Sequence, residues 1–167
     1  FNVPLLTFVD TTGFAPGTDL EWRGIIRHGA QLVHAYAAAT VPRLCVVVRK
    51  AYGGAYIVMD SKPLGSDWYC AWPAAEIAVM GAEPAVQILH RWRLAAIADE
   101  HERRAEQLAL EQEYSERFSN PYPAAERGYV DTVIPPADTR RALAAALGRL
   151  ATKQDRVPSR RHANTPL

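Results

Sequence analysis

Leu44-Cys45-Val46-Val47-Val48 is apolar at five successive positions and does not alternate with polar residues. A strand of this kind must be covered on both faces, which is the situation of a parallel sheet sandwiched between other elements. The flanking pattern agrees. Residues 4–10, Pro-Leu-Leu-Thr-Phe-Val-Asp, read as a first buried strand. Between the two strands, Ile25, Ile26, Gly29, Leu32, Val33 and Tyr36 recur at three- and four-residue steps and predict one helix over 20–39. Thr18 or Asp19 is placed to cap it, with Glu21 at capping-box distance from Thr18, and Val41-Pro42 ends it.

Beyond the central strand, Arg49-Lys50-Ala51-Tyr52-Gly53-Gly54-Ala55-Tyr56 predicts strand, glycine turn and helix start in succession. Two short strands follow at 68–72 and 76–80, separated by Pro73, and a helix is predicted over 84–90. The stretch from there to Phe118 is highly charged. Leu94, Ile97, Leu108, Tyr114 and Phe118 give it only a thin apolar stripe, so it reads as a solvated helical arm suited to docking on another subunit. Asn120-Pro121-Tyr122-Pro123 breaks it; a short helix at 124–127, a strand at 129–134 and a helix over 138–150 with Asp138 as cap complete the order. The tail 153–167 lacks periodicity and is expected to lie extended on the surface. The prediction is an α/β fold with a long charged helical arm, in one domain over 1–167.

Composition narrows the function classes. Nineteen Lys and Arg against eighteen Asp and Glu leave a net charge of +1, which argues against a dedicated nucleic-acid binder. With 49% hydrophobic and 22% charged residues the chain has the makeup of a globular domain. No apolar run of about 18 residues and no secretory leader appear in the sequence, so a soluble intracellular protein with no membrane partner is expected. Cys45 and Cys70 lie in apolar strands, where buried free thiols belong; a disulfide between them is possible but unforced, and a reducing compartment is the better reading. The sequence opens at Phe1 without methionine and runs straight into a strand, an expectation of a piece of a longer polypeptide.

The segment with most chemical content is Gly53-Gly54-Ala55. Adjacent glycines let the backbone turn sharply, and a helix that starts there aims its free N–H groups outward. The N–H groups of Gly54 and Ala55 are therefore candidates for an oxyanion hole, although a purely structural turn explains the same residues. Other candidates are poorer. There is no phosphate loop and no dinucleotide glycine fingerprint, and the five histidines lack metal-ligand spacing, so no metal is expected. Asp10 is a possible base but better suited to a turn or cap; Glu76 and Glu83 read as solvated or capping; Ser61 and Ser66 have no nucleophile-elbow context.

Taken together, Asn2–Asp10, Gly13-Phe14, Pro16-Gly17-Thr18, Gly24-Ile25-Ile26-Arg27-His28-Gly29-Ala30 and the Arg49–Tyr56 segment resemble one known family. Further matches are Ala71-Trp72-Pro73, Ile77-Ala78-Val79-Met80-Gly81, Asn120-Pro121-Tyr122, Ala124-Ala125-Glu126-Arg127-Gly128-Tyr129-Val130-Asp131 and Thr139-Arg140-Arg141. The resemblance is to the C-terminal half of the carboxyltransferase β subunit of biotin-dependent acyl-CoA carboxylases, of the propionyl-CoA carboxylase type. It covers nearly the whole chain in order. Two departures stand out: Thr11-Thr12 where Val-Pro is common, and Glu83-Pro84 where Gln-Gly is common.

The resemblance implies a crotonase-like ββα superhelix and transfer of a carboxyl group from N-carboxybiotin to the α-carbon of a short-chain acyl-CoA of acetyl or propionyl type. Biotin would arrive on a partner protein, a biotin carboxylase or carrier subunit. The acyl-CoA half of the site would belong to an N-terminal half missing from this chain, and the full-length protein would be a homo-oligomer, usually a hexamer, in the cytoplasm or the mitochondrial matrix. By the same resemblance Gly54 and Ala55 hold the biotin oxygen, Gly13 and Phe14 lie near the biotin end with Tyr52 and Gly53, and Ile57 occupies the pocket position that tunes acyl size. Biotin-dependent decarboxylation or transcarboxylation, and a non-catalytic paralogue that assembles with active subunits, are the alternatives. An enoyl-CoA hydratase of the same fold is a poorer one, for want of a positioned acid/base carboxylate.

Overall fold

The computed structural model describes residues 1–155. Five strands form one sheet in which every pairing is parallel: β1 (Leu5–Thr11), β2 (Arg43–Tyr52), β3 (Trp68–Ala71), β4 (Glu76–Ala78) and β5 (Thr132–Val133). The order is β1-β2-β3-β5, with β4 also on β2. The ten-residue β2 is the spine. Its first half pairs with β3, from Leu44 opposite Trp68 to Val47 opposite Ala71, and its second half with β4, from Lys50 opposite Glu76 to Tyr52 opposite Ala78.

The unbroken apolar run of β2 is consumed as its pattern demands. Cys45 and Val47 enter one core with Val9, Tyr69 and Ala71. Leu44 and Val46 enter the other, with Cys70 and with Leu143 and Ala146 of the last helix. Alternate residues of a strand point to opposite faces, so each face of β2 supplies its own core.

Between β1 and β2 lie α1 (Thr18–Trp22) and α2 (Ile25–Ala38), where a single helix over 20–39 was predicted. The break comes at Gly24, whose φ of 81° places it in the left-handed region that glycine alone adopts without cost. The predicted cap is also corrected. Gly17 holds the capping position of α1 without a side-chain bond, and Thr18 and Asp19 lie inside the first turn.

The helix α3 (Gly53–Val58) follows β2 directly, so strand, glycine turn and helix start succeed one another over Arg49–Tyr56 as predicted. A single 3-10 turn at Lys62–Leu64 precedes β3. After β4 come α4 (Ala82–Leu89), α5 (Arg91–Ala95), α6 (Glu100–Phe118) and α7 (Tyr122–Glu126). The charged helix α6 has its own cap: the Asp99 carboxylate accepts from the Glu102 N–H at 2.8 Å. It does not stand free, because Leu110 joins Val86 of α4 and Leu94 of α5 in a small buried cluster flanked by Tyr114. Leu108, assigned to the stripe from sequence, is instead half-exposed.

The strand predicted over 129–134 shrinks to β5, and a 3-10 turn at Pro136–Asp138 leads into α8 (Thr139–Arg149). Asp138 stands at the capping position, but its carboxylate accepts from Arg141 Nη2 at 2.9 Å and makes no cap bond. Of the tail, Lys153 is anchored to Asp67 at 2.8 Å and to the Val41 carbonyl at 3.2 Å. The remainder, 156–167, lies outside the described residues.

Candidate functional site at the start of the third helix

The register fixes where chemistry can gather. Thr11 pairs with Ala51 and Ala78 pairs with Tyr52, so the segments after β1, β2 and β4 leave the sheet together at its carboxyl edge. That edge is where open α/β sheets place ligands. Here Tyr52 is still extended, Gly53 turns with φ 59°, and α3 begins. A Cβ on Gly53 would lie 3.0 Å from the Val79 carbonyl oxygen, so position and conformation both call for glycine. Gly54 and Ala55 are the second and third residues of α3. N–H groups of a first turn have no carbonyl behind them and carry partial positive charge. Gly54 is exposed and Ala55 is buried.

Around this turn the side chains are tied down. Tyr52 is buried beneath it, and its hydroxyl donates to Glu76 Oε2 from the neighbouring strand. Burial, reinforced by the Glu76 carboxylate, pushes the Tyr52 hydroxyl well above the usual phenol range. Glu76 is therefore half-buried in a strand and paired, not a solvated or capping residue. Asp10 sits where the β1–β2 register shifts and accepts from Arg49 Nε at 3.0 Å, from Arg49 Nη2 at 2.8 Å and from the Lys50 N–H at 3.2 Å. The hydrogen bond from Arg49, followed by that from Lys50, lowers its carboxyl below the ordinary value. An Asp held charged this way ties β1 to β2 and is a poor general base.

An open cleft of about 700 Å³ runs beside α3. Gly53, Gly54 and Ile57 form one wall, Ile77 and Val79 the floor at the end of β4, and Tyr114 and Phe118 of α6 part of the far wall. The lining is mostly apolar, with Arg127 as its charged residue. Ile57 is 46% exposed, so its side chain is available to a ligand.

The seven residues singled out from sequence thus fall into two sets. Gly53, Gly54 and Ile57 line the cleft, and Ala55, in the same turn of α3, is buried and does not line it. Gly13, Phe14 and Tyr52 do not line it: Gly13 is exposed in the loop after β1, Tyr52 is covered, and the Phe14 ring packs against Gly29 of α2. The far wall escaped sequence reasoning. Tyr114 and Phe118, four apart on α6 with ring centroids 5.1 Å apart, were noted only as a thin stripe. Among the described residues no group of three or more His, Cys, Asp or Glu is placed to hold a metal ion, and no helix is long and apolar enough to cross a membrane.

Comparison with known proteins assigns the family. Residues 1–165 match the model of the carboxyl transferase domain. The chain is 56% identical to the propionyl-CoA carboxylase beta chain of Saccharopolyspora erythraea, over all of this chain and 31% of that protein. It is 51% identical to the methylmalonyl-CoA carboxyltransferase 12S subunit of Propionibacterium freudenreichii subsp. shermanii, over 99% of this chain and 31% of that protein. Among solved structures, the hexameric transcarboxylase 12S with methylmalonyl-CoA and methylmalonic acid bound superposes with a TM-score of 0.91 at 50% identity, covering 100% of this chain and 32% of that one. The P. aeruginosa geranyl-CoA carboxylase beta subunit gives a TM-score of 0.78 at 30% identity, covering 95% and 30%. The chain spans about a third of the length of these relatives. The fold is the crotonase-like one that the resemblance implied, and the chain belongs to the carboxyl transferase domain family.

Proposed function

We propose that this chain is the biotin-side part of an acyl-CoA carboxylase carboxyltransferase, moving a carboxyl group from N-carboxybiotin to the α-carbon of a short-chain acyl-CoA. The observation that carries the reading is the Gly53-Gly54-Ala55 turn. It opens a helix at the carboxyl edge of the sheet, beside an apolar cleft, in a chain whose family is carboxyl transfer.

Carboxybiotin, delivered on a partner subunit, would supply the carboxyl group and, at the ring nitrogen this frees, the acceptor for the proton lost from the acyl-CoA α-carbon. The N–H groups of Gly54 and Ala55, in the first turn of α3, would hold the carbonyl oxygen of the biotin ring. Preorganised donors of this kind stabilise charge without reorganising at the moment of reaction. Gly53 allows the sharp entry, and the absence of side-chain bulk at Gly54 lets a ring approach the backbone. Ile57 offers an apolar contact on the cleft wall and is suited to a short aliphatic acyl group. The remainder of the site, including the acyl-CoA-binding half, belongs to sequence that the longer relatives carry beyond the matched third. Assembly as a hexamer is supported by the transcarboxylase 12S structure. Work in the cytoplasm, or in the matrix for a mitochondrial form, fits a family that includes a mitochondrial relative in Sus scrofa.

The test is Ala55→Pro in the natural, full-length protein. Proline has no N–H, and loss of one oxyanion donor costs roughly 10²–10³-fold in turnover. Thermal melting and oligomer size confirm that the variant is folded. Turnover that stays at the wild-type rate in a folded variant rules out the role given to Ala55.

A further inference from the structure

Helix α3 starts without a side-chain cap. Tyr52, the residue before Gly53, holds the capping position in extended conformation, with φ −108° and ψ 132°. Its side chain is fixed at the far end: the residue is 6% exposed, and its hydroxyl donates to Glu76 Oε2. Glu76 opens β4 and pairs through its backbone with Lys50, whereas Tyr52 pairs with Ala78. The side-chain bond therefore runs diagonally across the two strands, a reach open to an aromatic side chain.

The strand β4 has little else to register it. Its three residues pair with Lys50, Ala51 and Tyr52 of β2. Past those pairs the two segments leave the sheet side by side, and both enter the cleft: Gly53 and Gly54 follow β2, and Val79 follows β4. We infer that Tyr52 and Glu76 form a positioning clip, which locks β4 to the end of β2 and so holds the cleft floor, Ile77 and Val79, in register with the N–H groups of Gly54 and Ala55. Tyr52, which the resemblance makes a wall of the biotin end, acts instead from beneath the turn. The bond suits the task. Burial and the Glu76 carboxylate keep the hydroxyl protonated, so it stays a donor. A hydrogen bond to a carboxylate is also roughly twice as strong as one between neutral groups. Donor geometry at a reacting centre is unforgiving: a misplacement of about 1 Å can cost roughly a hundredfold. The inference rests on the carboxyltransferase reading for its catalytic consequence, but not for the clip itself.

The experiment uses the natural, full-length protein, with methylmalonyl-CoA as donor and free biocytin as the probe acceptor. Tyr52→Phe keeps the buried ring and removes the bond. Glu76→Ala removes the same bond from the other side, and Glu76→Gln leaves an amide oxygen that still accepts. Tyr52→Phe and Glu76→Ala are each expected to lower kcat roughly ten- to a hundredfold, with the KM for biocytin held within about twofold. Both are expected to speed hydrogen exchange in the peptides spanning 53–58 and 76–80. Combined, they are expected to be no worse than the poorer single variant, because each removes one and the same bond. Glu76→Gln is expected to recover most of the kcat that Glu76→Ala loses. A lowered melting temperature with unchanged kcat in Tyr52→Phe would make the pair structural only and overturn the inference. So would a raised biocytin KM at unchanged kcat, which makes Tyr52 a binding wall, or fully additive losses. Should the wild type transfer no carboxyl group, the carboxyltransferase reading falls. Exchange at 53–58 and 76–80 that rises in Tyr52→Phe then still upholds the clip, and exchange that does not respond removes it.

Discussion

Arg43 Nη1 donates to Asp60 Oδ1 at 2.8 Å inside the protein, with the two side chains only 5% and 0% exposed. Arg43 opens β2, and Asp60, with φ 53°, lies just beyond the end of α3. The guanidinium also donates through Nη2 to the carbonyls of Leu64 and Gly65. One side chain thus ties the exit of α3 and the following turn to the sheet, while Gly53 defines the entry. Removing one partner of a buried pair leaves the other buried and uncompensated, at a cost of about 3–5 kcal/mol. Asp60→Ala is expected to lose that much in urea denaturation at neutral pH; a loss like that of an exposed ion pair, below about 1 kcal/mol, contradicts the role.

The same residue gives a pH signature. Among the described residues Asp60 Oδ2 has no hydrogen-bond partner, and burial raises the carboxyl to about 6 although Arg43 pulls the other way. An unfolded Asp titrates near 3.9, so the folded state binds this proton more tightly. The resulting contribution to stability is complete below about pH 4 and is lost as pH rises through about 6. Wild type is therefore expected to gain stability over Asp60→Asn between pH 7 and pH 4.5, measured by denaturant midpoints at each pH. A gap that is flat or narrows over that range opposes the prediction.

Gly53→Ala places a side chain on a left-handed backbone with its Cβ 3.0 Å from the Val79 carbonyl oxygen. The left-handed conformation alone costs a non-glycine residue about 1–2 kcal/mol. The variant is expected to lose at least that in stability, and to lose turnover as α3 shifts. An unchanged melting temperature sinks the argument.

Ile57→Asp puts a charge on an apolar wall. The expected result is at least a tenfold change in the ratio of kcat/KM between acetyl-CoA and propionyl-CoA, since a single methylene in a fitted pocket is worth roughly 10–200-fold. An unaltered substrate ranking removes Ile57 from the site.

How much of this was legible beforehand depended on range. The covered strand β2 declared itself because five apolar residues in a row have one structural meaning. The Gly53-Gly54 turn did so because two glycines after a strand leave few alternatives. The break at Gly24 was hidden, since one glycine is tolerated inside a helix and the apolar spacing continues across it. The Tyr52–Glu76 bond needs the β2–β4 register, which places residues 24 apart side by side and leaves no local trace. The far wall of the cleft failed for a related reason. Helix α6 is so polar that its few buried contacts carry no periodic signal, and only packing on α4 brings Tyr114 and Phe118 to the cleft.

Cys45 and Cys70 settle a point the sequence left open. Both are free, fully buried and committed to opposite cores of the sheet. Burial pushes the Cys70 thiol up to about 12, and that of Cys45 higher still. Since the thiolate is the reactive form, neither is expected to label with a thiol reagent until the protein unfolds. Rapid labelling of the native protein contradicts the packing described.

The central claim is carboxyl transfer, and the direct measurement is the reverse reaction on the natural, full-length protein. Methylmalonyl-CoA and malonyl-CoA serve as donors, free biocytin as acceptor, and the decarboxylated acyl-CoA is followed. The account predicts acyl-CoA release that depends on biocytin and collapses in Ala55→Pro. A folded, assembled protein that releases none with either donor contradicts it.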